Sequence, residues 1–465
     1  MNLRGIFSLI PEVTPPEEKK LSFKVKLKWT LIILATFFIL ANISLFGITA
    51  NALERFEYLA IILGTDFGSI ISLGIGPIVM ASIILQLLTG AGIINIDTTT
   101  VEGKKFFQGL QKILVFFFII FEASVYVFMN GLEAAQGFVG IVIFQLILGG
   151  LAIFYMNELC EKWGFGSGVS LFIAAGVSWR LISSAFQFID QQGTNCLLDF
   201  AGTPCSGKVL VLIQSVITRD SITLLSAIAA LVVTVLIFLA VVWAQSLKVE
   251  IPLSYGRIRG YSVKWPLSFF YANVIPVILA AALVANLQLF GGILENWLGQ
   301  ATFLGHFVNG QAVSGLSFWL GSTNILDLAI RGGLLPAYLL QGLIHIIVFS
   351  LLCMMFSIFW VKSSSMDAKA QAGKIASSGL QVAGFRQDIR ILESILERYV
   401  MPLTVMGGIA IGLLASFTNL LGALVSGTAI LLVIMIMFQL YQNIAQQHMT
   451  DMNPALRKFM GGGGA

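Results

Sequence analysis

The sequence predicts an all-α polytopic membrane protein, with ten transmembrane helices in two inverted five-helix halves around a central pore. Composition is the first reason. Of 465 residues, 57% are hydrophobic and 11% charged, where soluble domains carry about 25% charge. The second is spacing. Apolar windows near the length of about 20 residues that a bilayer requires recur ten times. They lie roughly at 28–50, 74–95, 106–129, 137–157, 168–189, 221–247, 267–290, 336–361, 400–418 and 423–445. The third is charge asymmetry. All but Arg55, Arg180, Lys208, Arg219 and Arg331 of the 27 Lys and Arg fall on the side of the N-terminus. The positive-inside rule then places both termini in the cytoplasm.

Residues 1–27 read as a cytoplasmic segment without a cleavable leader. Residues 28–190 hold the first five spans. After the first span comes "LERFEYLAIILG", 53–64, far too short to cross. Two readings are open for such a stub: an interfacial helix on the outer leaflet, or a segment shielded by other helices inside a funnel. Read alone, its polar flanks favour the interfacial helix. The segment 191–220 is an outside loop. It contains Cys196 and Cys205 with eight residues between them, paired or free. Cys160 and Cys353 read as packing residues.

Residues 221–445 hold the remaining five spans, with cytoplasmic loops at 248–266 and 362–399. Residues 446–465 form a cytoplasmic tail whose final "GGGGA" reads as linker. Five spans per half is an odd number, so the second half enters with the opposite orientation. A weak internal echo supports a repeat. "GPIVMASIILQLL" and "IPVILAAALVANLQLF" each carry a proline, Pro77 and Pro276, near the first helical turn.

The spans hold few ionisable residues. Glu122 is the clearest and Arg180 lies towards an end, whereas amides are commoner at Gln86, Gln145, Asn286 and Gln341. There is no proton-relay ladder, no GxxxxGK[ST], no CxxC and no HExxH. His306, His345 and His448 lie far apart. No catalytic role, cofactor or metal is expected. A secondary transporter of small solutes is the alternative to a larger conduit. The loops "SLKVEIPLSYGRIRGYSVKWP" and "WVKSSSMDAKAQAGKIASSGLQVAGFRQDIRILESILERYV" are basic and glycine-punctuated. They suit docking to an acidic or RNA-bearing partner, or serve only to set topology.

Six stretches carry a family resemblance: "LGIGPIVMASIILQLL", "GFGSGVSLFIAAGVS", "IPLSYGRIRGYSVKWP", "NVIPVILAAALVANLQLF", "AGFRQD" and "ERYVMPLTVMGG". Together they resemble the SecY family, in its branch of archaeal SecY and the eukaryotic translocon alpha subunit, from Ile10 to Phe459. The resemblance implies the protein-conducting channel of a plasma membrane, working with a SecE/gamma subunit, a beta subunit and the ribosome. It implies passage of signal sequences and nascent or preprotein chains, and sideways release of spans into membrane lipid.

The resemblance also implies roles. The stub becomes a plug (Leu53, Phe56, Tyr58, Leu59, Ile62, Gly64) with a hinge at 67–73. A pore ring maps to Ile75, Val79, Val169, Ile173, Ile278 and Leu432. A lateral gate between spans two and three and spans seven and eight maps to Glu122 and Asn286. Met80 stands there where a hydroxyl residue is common, and Gln86 is a candidate substitute. Arg257, Arg259 and Arg386 match the ribosome-docking loop tips, where arginine forks suit phosphate.

Overall fold

The computed structural model describes residues 11–17, 21–51, 53, 60, 63–90, 93–94, 96, 100–189, 195–196, 205–255, 262–308, 311–377, 380–382 and 388–452. The first half runs α1 (Phe23–Ala41), β1 (Ile48–Asn51), α2 (Gly76–Gly90), α3 (Val101–Phe128), β2 (Leu132–Ala134), α4 (Val139–Trp163) and α5 (Gly168–Phe186). A connecting helix α6 (Lys208–Thr218) precedes α7 (Ser221–Ser246). The second half continues with β3 (Lys248–Tyr255), β4 (Ser262–Ser268), α8 (Ile275–Leu298), β5 (His306–Val308), β6 (Gln311–Ser314), α9 (Leu316–Leu320) and α10 (Ile325–Ile330). It ends with α11 (Pro336–Ser363), α12 (Ala368–Ser377), β7 (Leu380–Val382), α13 (Ile389–Leu421) and α14 (Gly427–Met452).

Among the described residues, eight helices are long and apolar enough to cross a membrane: α3, α4, α5, α7, α8, α11, α13 and α14. The other two spans depart from that simple pattern. α1 carries Lys24, Lys26 and Lys28 in its first turns, and α2 is described over only 15 residues. Helix α1 enters from the face of the N-terminus and α7 from the opposite face, so the five-helix halves are inverted.

Helix starts follow local chemistry. The Thr100 hydroxyl caps α3 by accepting from Gly103 N–H, and Asp220 caps α7 by accepting from Ile222 and Thr223 N–H. Pro276 occupies the first turn of α8, where a missing N–H does no harm.

Four boundaries differ from the sequence expectation. The first span ends at Ala41 rather than near 50, because Asn42 caps the helix and Gly47 takes φ +89°. From there β1 pairs antiparallel with β2. Span seven begins at Ile275 rather than 267, because 262–268 form strand β4. The apolar residues there fill a small core on the N-terminal face, in which Leu267 and Tyr271 pack with Ile251, Ile375 and Leu396. The loop 362–399 contains α12, β7 and the first turns of α13. The loop 191–220 contains α6, which is apolar but too short to register as a span.

The main core runs through both halves as one apolar cluster. Outward faces are equally apolar: α7 exposes Val235, Leu236, Phe238, Leu239 and Trp243, which suits lipid. Helices α11 and α13 approach closely through glycine. A Cβ on Gly412 would lie 2.5 Å from Ser350 Cα, and one on Gly408 2.9 Å from Met354 Cα. Small residues at such crossings let backbones touch where lipid provides no hydrophobic drive.

Candidate functional site

The residues matched to the ring all lie in or against the main core. Ile75, Val79, Ile173, Ile278 and Leu432 are buried in the main core, with Val169 half-buried against it. They belong to α2 and the turn before it, α5, α8 and α14. Helix α8 packs against α2 and α14, and α14 packs against α5.

Four residues of the stub are described: Leu53, Ala60, Leu63 and Gly64. Ala60 and Leu63 are helical and buried, and Leu53 is buried with them. Phe56, Tyr58, Leu59 and Ile62 lie outside the described residues. A Cβ on Gly64 would lie 3.6 Å from Phe172 Cβ, 3.7 Å from Ile75 Cγ2 and 3.8 Å from Ile173 N, so the stub ends against two residues matched to the ring. Ile75 N–H donates to Leu63 O at 2.9 Å. That hydrogen bond demands glycine next door. Gly74 has φ +54°, and a Cβ on it would stand 2.4 Å from Leu63 O. L-side chains avoid this region, and glycine enters it freely.

Asn51 staples the base of the segment. Its Oδ1 accepts from Leu53 N–H and its Nδ2 donates to Phe67 O, both at 3.1 Å. Beyond Gly64 lies a cavity of about 280 Å³ lined by Ala60, Thr65 and Asp66, with Phe37, Phe38 and Trp179 of α1 and α5. The described end of the segment, at Ala60 and Gly64, therefore borders both the core and this cavity.

The predicted gate is a seam where α2 packs against α8 and α11. At the N-terminal face, Gly90 lies against the Phe359 ring, leaving no space for a Cβ. Each flank is tied internally. Gln111 Nε2 donates to Ser82 Oγ at 2.8 Å and joins α3 to α2. Short helix α9 joins α8 to α11. Gln288 Nε2 donates to Ser317 O, Gln341 Nε2 to Phe318 O at 2.7 Å, and His345 Nδ1–H to Leu320 O at 2.8 Å.

Within the seam the matched polar residues do not bond one another. Glu122 is 1% exposed, its Oε2 lies beside Gly76, and neither carboxyl oxygen has a partner. Asn286 donates to Ala282 O on its own helix at 2.9 Å and leaves Oδ1 unsatisfied. Gln86 is buried with Oε1 unsatisfied, so it does not replace the missing hydroxyl as a partner for Glu122. Met80 is half-buried and packs on the core.

Arg257, Arg259 and Arg386 lie outside the described residues, but the stems of their loops are joined. β3 pairs with β4 and also with β7, through Leu253↔Val382, Ser254↔Gln381 and Tyr255↔Leu380. Lys264 donates to Glu250 across the hairpin at 2.7 Å, and that bond holds its ammonium above its usual pKa. Its charge is thus already matched.

One feature escaped the sequence and another was left open by it. The N-terminal segment is clipped to α3 and α4. Buried Glu158 accepts from Lys112 at 2.8 Å and Lys162 at 2.9 Å, Lys112 also pairs with Glu12, and Trp163 Nε1 donates to Thr14 O at 3.0 Å. Only the Glu158–Lys162 spacing of four residues was a visible signal. Cys196 and Cys205 form a disulfide with Cα atoms 5.3 Å apart, which decides a pairing the sequence left open. Cys160 and Cys353 are free and buried, as expected.

The SecY family model matches residues 69–441. A curated relative, protein translocase subunit SecY of Methanothermobacter thermautotrophicus, is 41% identical over 461 residues, covering 98% of each chain. Among solved structures, one in which the SecY plug domain stabilises the closed state of the translocation channel and maintains a membrane seal superposes with a TM-score of 0.82. It is 36% identical over 98% of this chain and all of that one. Sec61 in the canine ribosome-channel complex from the endoplasmic reticulum superposes with a TM-score of 0.79, at 35% identity and the same coverage.

Proposed function

Because this chain belongs to the SecY family, we infer that it is the central, pore-forming subunit of a protein translocation channel. It passes secretory polypeptides across the membrane and releases transmembrane segments sideways into lipid. The observation that carries the site assignment is Gly64 seated against Ile75 and Ile173, which sets a short non-spanning segment against the ring.

At rest, 53–64 fills the funnel and the aliphatic ring below it excludes ions by dewetting. A signal sequence parts the α2–α3 flank from the α8–α11 flank. The 67–73 hinge then lets the plug leave, and the ring yields around the chain without offering it a hydrogen bond. The internal ties within each flank make the seam between them the natural line of opening. The chain works with a SecE/gamma subunit and a beta subunit and meets the ribosome. Both termini lie in the cytoplasm and the membrane is the plasma membrane. The chain performs no catalysis, and drive comes from translation or a post-translational motor. Arg257, Arg259 and Arg386, on loops whose stems share one sheet, dock on ribosomal phosphate.

Reconstitution of the chain with its two small subunits tests the reading. Proteoliposomes should shield a secretory preprotein from protease when ribosomes or a motor supply drive. Saturable uptake of a small solute without preprotein protection would favour the transporter alternative.

A further inference from the structure

We propose that the turn at Asn130–Gly131 couples the plug to the gate, with Asn296 as its latch; this rests on the channel reading above. The turn follows α3, and Asn130 holds φ +56° there. Asn296, near the end of α8 on the other flank, donates from Nδ2 to Asn130 O at 2.9 Å. That bond spans the seam at the face opposite the N-terminus. Gly131 beside it has a neighbour on each moving part. A Cβ there would lie 3.3 Å from Leu53 Cδ2, at the start of the plug segment, and 3.5 Å from Ile293 Cγ1, on the gate helix.

The turn is also continuous with the plug's base. It leads into β2, whose Leu132 pairs with Asn51 of β1. Asn51 in turn binds Leu53 N–H and Phe67 O, on both sides of the plug segment. When α8 leaves α3, the Asn296 bond breaks and Ile293 withdraws from the turn. Leu53 is then left without one wall of its packing, and the strap holding both plug ends is freed to shift. Plug release thus follows gate opening mechanically, with no contact between the arriving chain and the plug.

The proposal is tested on the complete complex in proteoliposomes, with Ala60→Cys as reporter. Ala60 is fully buried and borders the cavity beside the plug. The native cysteines are buried or disulfide-bonded, so a membrane-impermeant maleimide reads this site. Asn296→Asp keeps the size and removes the amide donor. It should raise the Ala60→Cys labelling rate about fivefold, the weight of one net hydrogen bond, while lowering the signal hydrophobicity needed to open the gate. Asn296→Ala should do the same, and Asn296→Gln should return labelling towards wild type.

A shifted signal threshold with unchanged labelling would overturn the coupling, as would no change in either. Deletion of the plug separates the two levels. A deleted channel that stays sealed counts against the channel reading itself, whereas one that leaks beside an Asn296→Asp variant of normal labelling counts against the coupling alone.

Discussion

The described residues assigned to the plug and ring and those assigned to the gate are mostly buried, yet the two regions are built from different materials. Around Gly64 the neighbours Phe172, Ile75 and Ile173 are apolar, hinge backbone groups such as Ser69 and Ile70 N–H are paired, and glycines at 64 and 74 take the turns. In the seam, Glu122 and Asn286 carry buried oxygens that accept nothing. An unsatisfied buried polar atom costs about 1–3 kcal/mol. On the channel reading the first region is a seal, and its described hinge groups are hydrogen-bonded. The second leaves buried polar oxygens without a hydrogen-bond partner. A channel that must not leak but must open to a weak signal needs both.

The largest expected effect breaks the seal. Deleting 54–64 should leave a folded channel that conducts ions at rest in planar bilayers; a non-conducting deletion would refute the plug. Next is Gly74→Ala, which puts a side chain at positive φ and against Leu63 O. Backbone strain of this kind is on the order of 1–3 kcal/mol. It should give an intermittent leak and a lowered thermal midpoint. A variant as tight and stable as wild type would show that the hinge geometry is not needed.

A smaller effect, of opposite sign, is expected in the seam. Glu122→Leu or Asn286→Leu removes an unsatisfied polar group, which favours the closed gate by about 1–3 kcal/mol. Signal sequences should then need to be more hydrophobic, read as export of a graded signal series. The two residues share no hydrogen bond, so a double-mutant cycle should give little coupling. A value above about 1 kcal/mol would show that they pair in the membrane.

The N-terminal-face loops should leave the seal and the seam untouched. Arg257→Glu with Arg259→Glu should lower ribosome affinity and reduce its salt slope by roughly 0.7–0.9 for each phosphate no longer neutralised, with resting leak unchanged. Co-sedimentation across a salt series checks this, and equal slopes would leave these loops a purely topological role.

Much of the site was legible in residue order. The segment 53–64 stands out because it is apolar yet too short to span, and Pro77 and Pro276 mark the first turns of the paired helices α2 and α8. The roles of Ile75, Ile173 and Leu432 were not legible from residue type, since an aliphatic residue in a span is ordinary. Only resemblance singled them out. Glu122 and Asn286, both matched to the gate, share no hydrogen bond, and Asn286 turns instead to the carbonyl of Ala282 four residues back, a local partner always within reach on a helix. Helix α6 and strand β4 were hidden because short apolar stretches read alike as span ends, strands or loops.

The sequence by itself determined the membrane class, the ten spans and their inversion, because hydrophobic length and charge asymmetry act one segment at a time. The tertiary structure alone decided which residues meet. Gly64 reaches Ile173 across more than a hundred positions, Asn296 reaches Asn130, and Glu12 reaches Lys112. Such meetings depend on how helices pack, and in lipid that packing is set by shape and small residues more than by hydrophobicity. Hydropathy therefore places each helix in the membrane but carries no record of its neighbour.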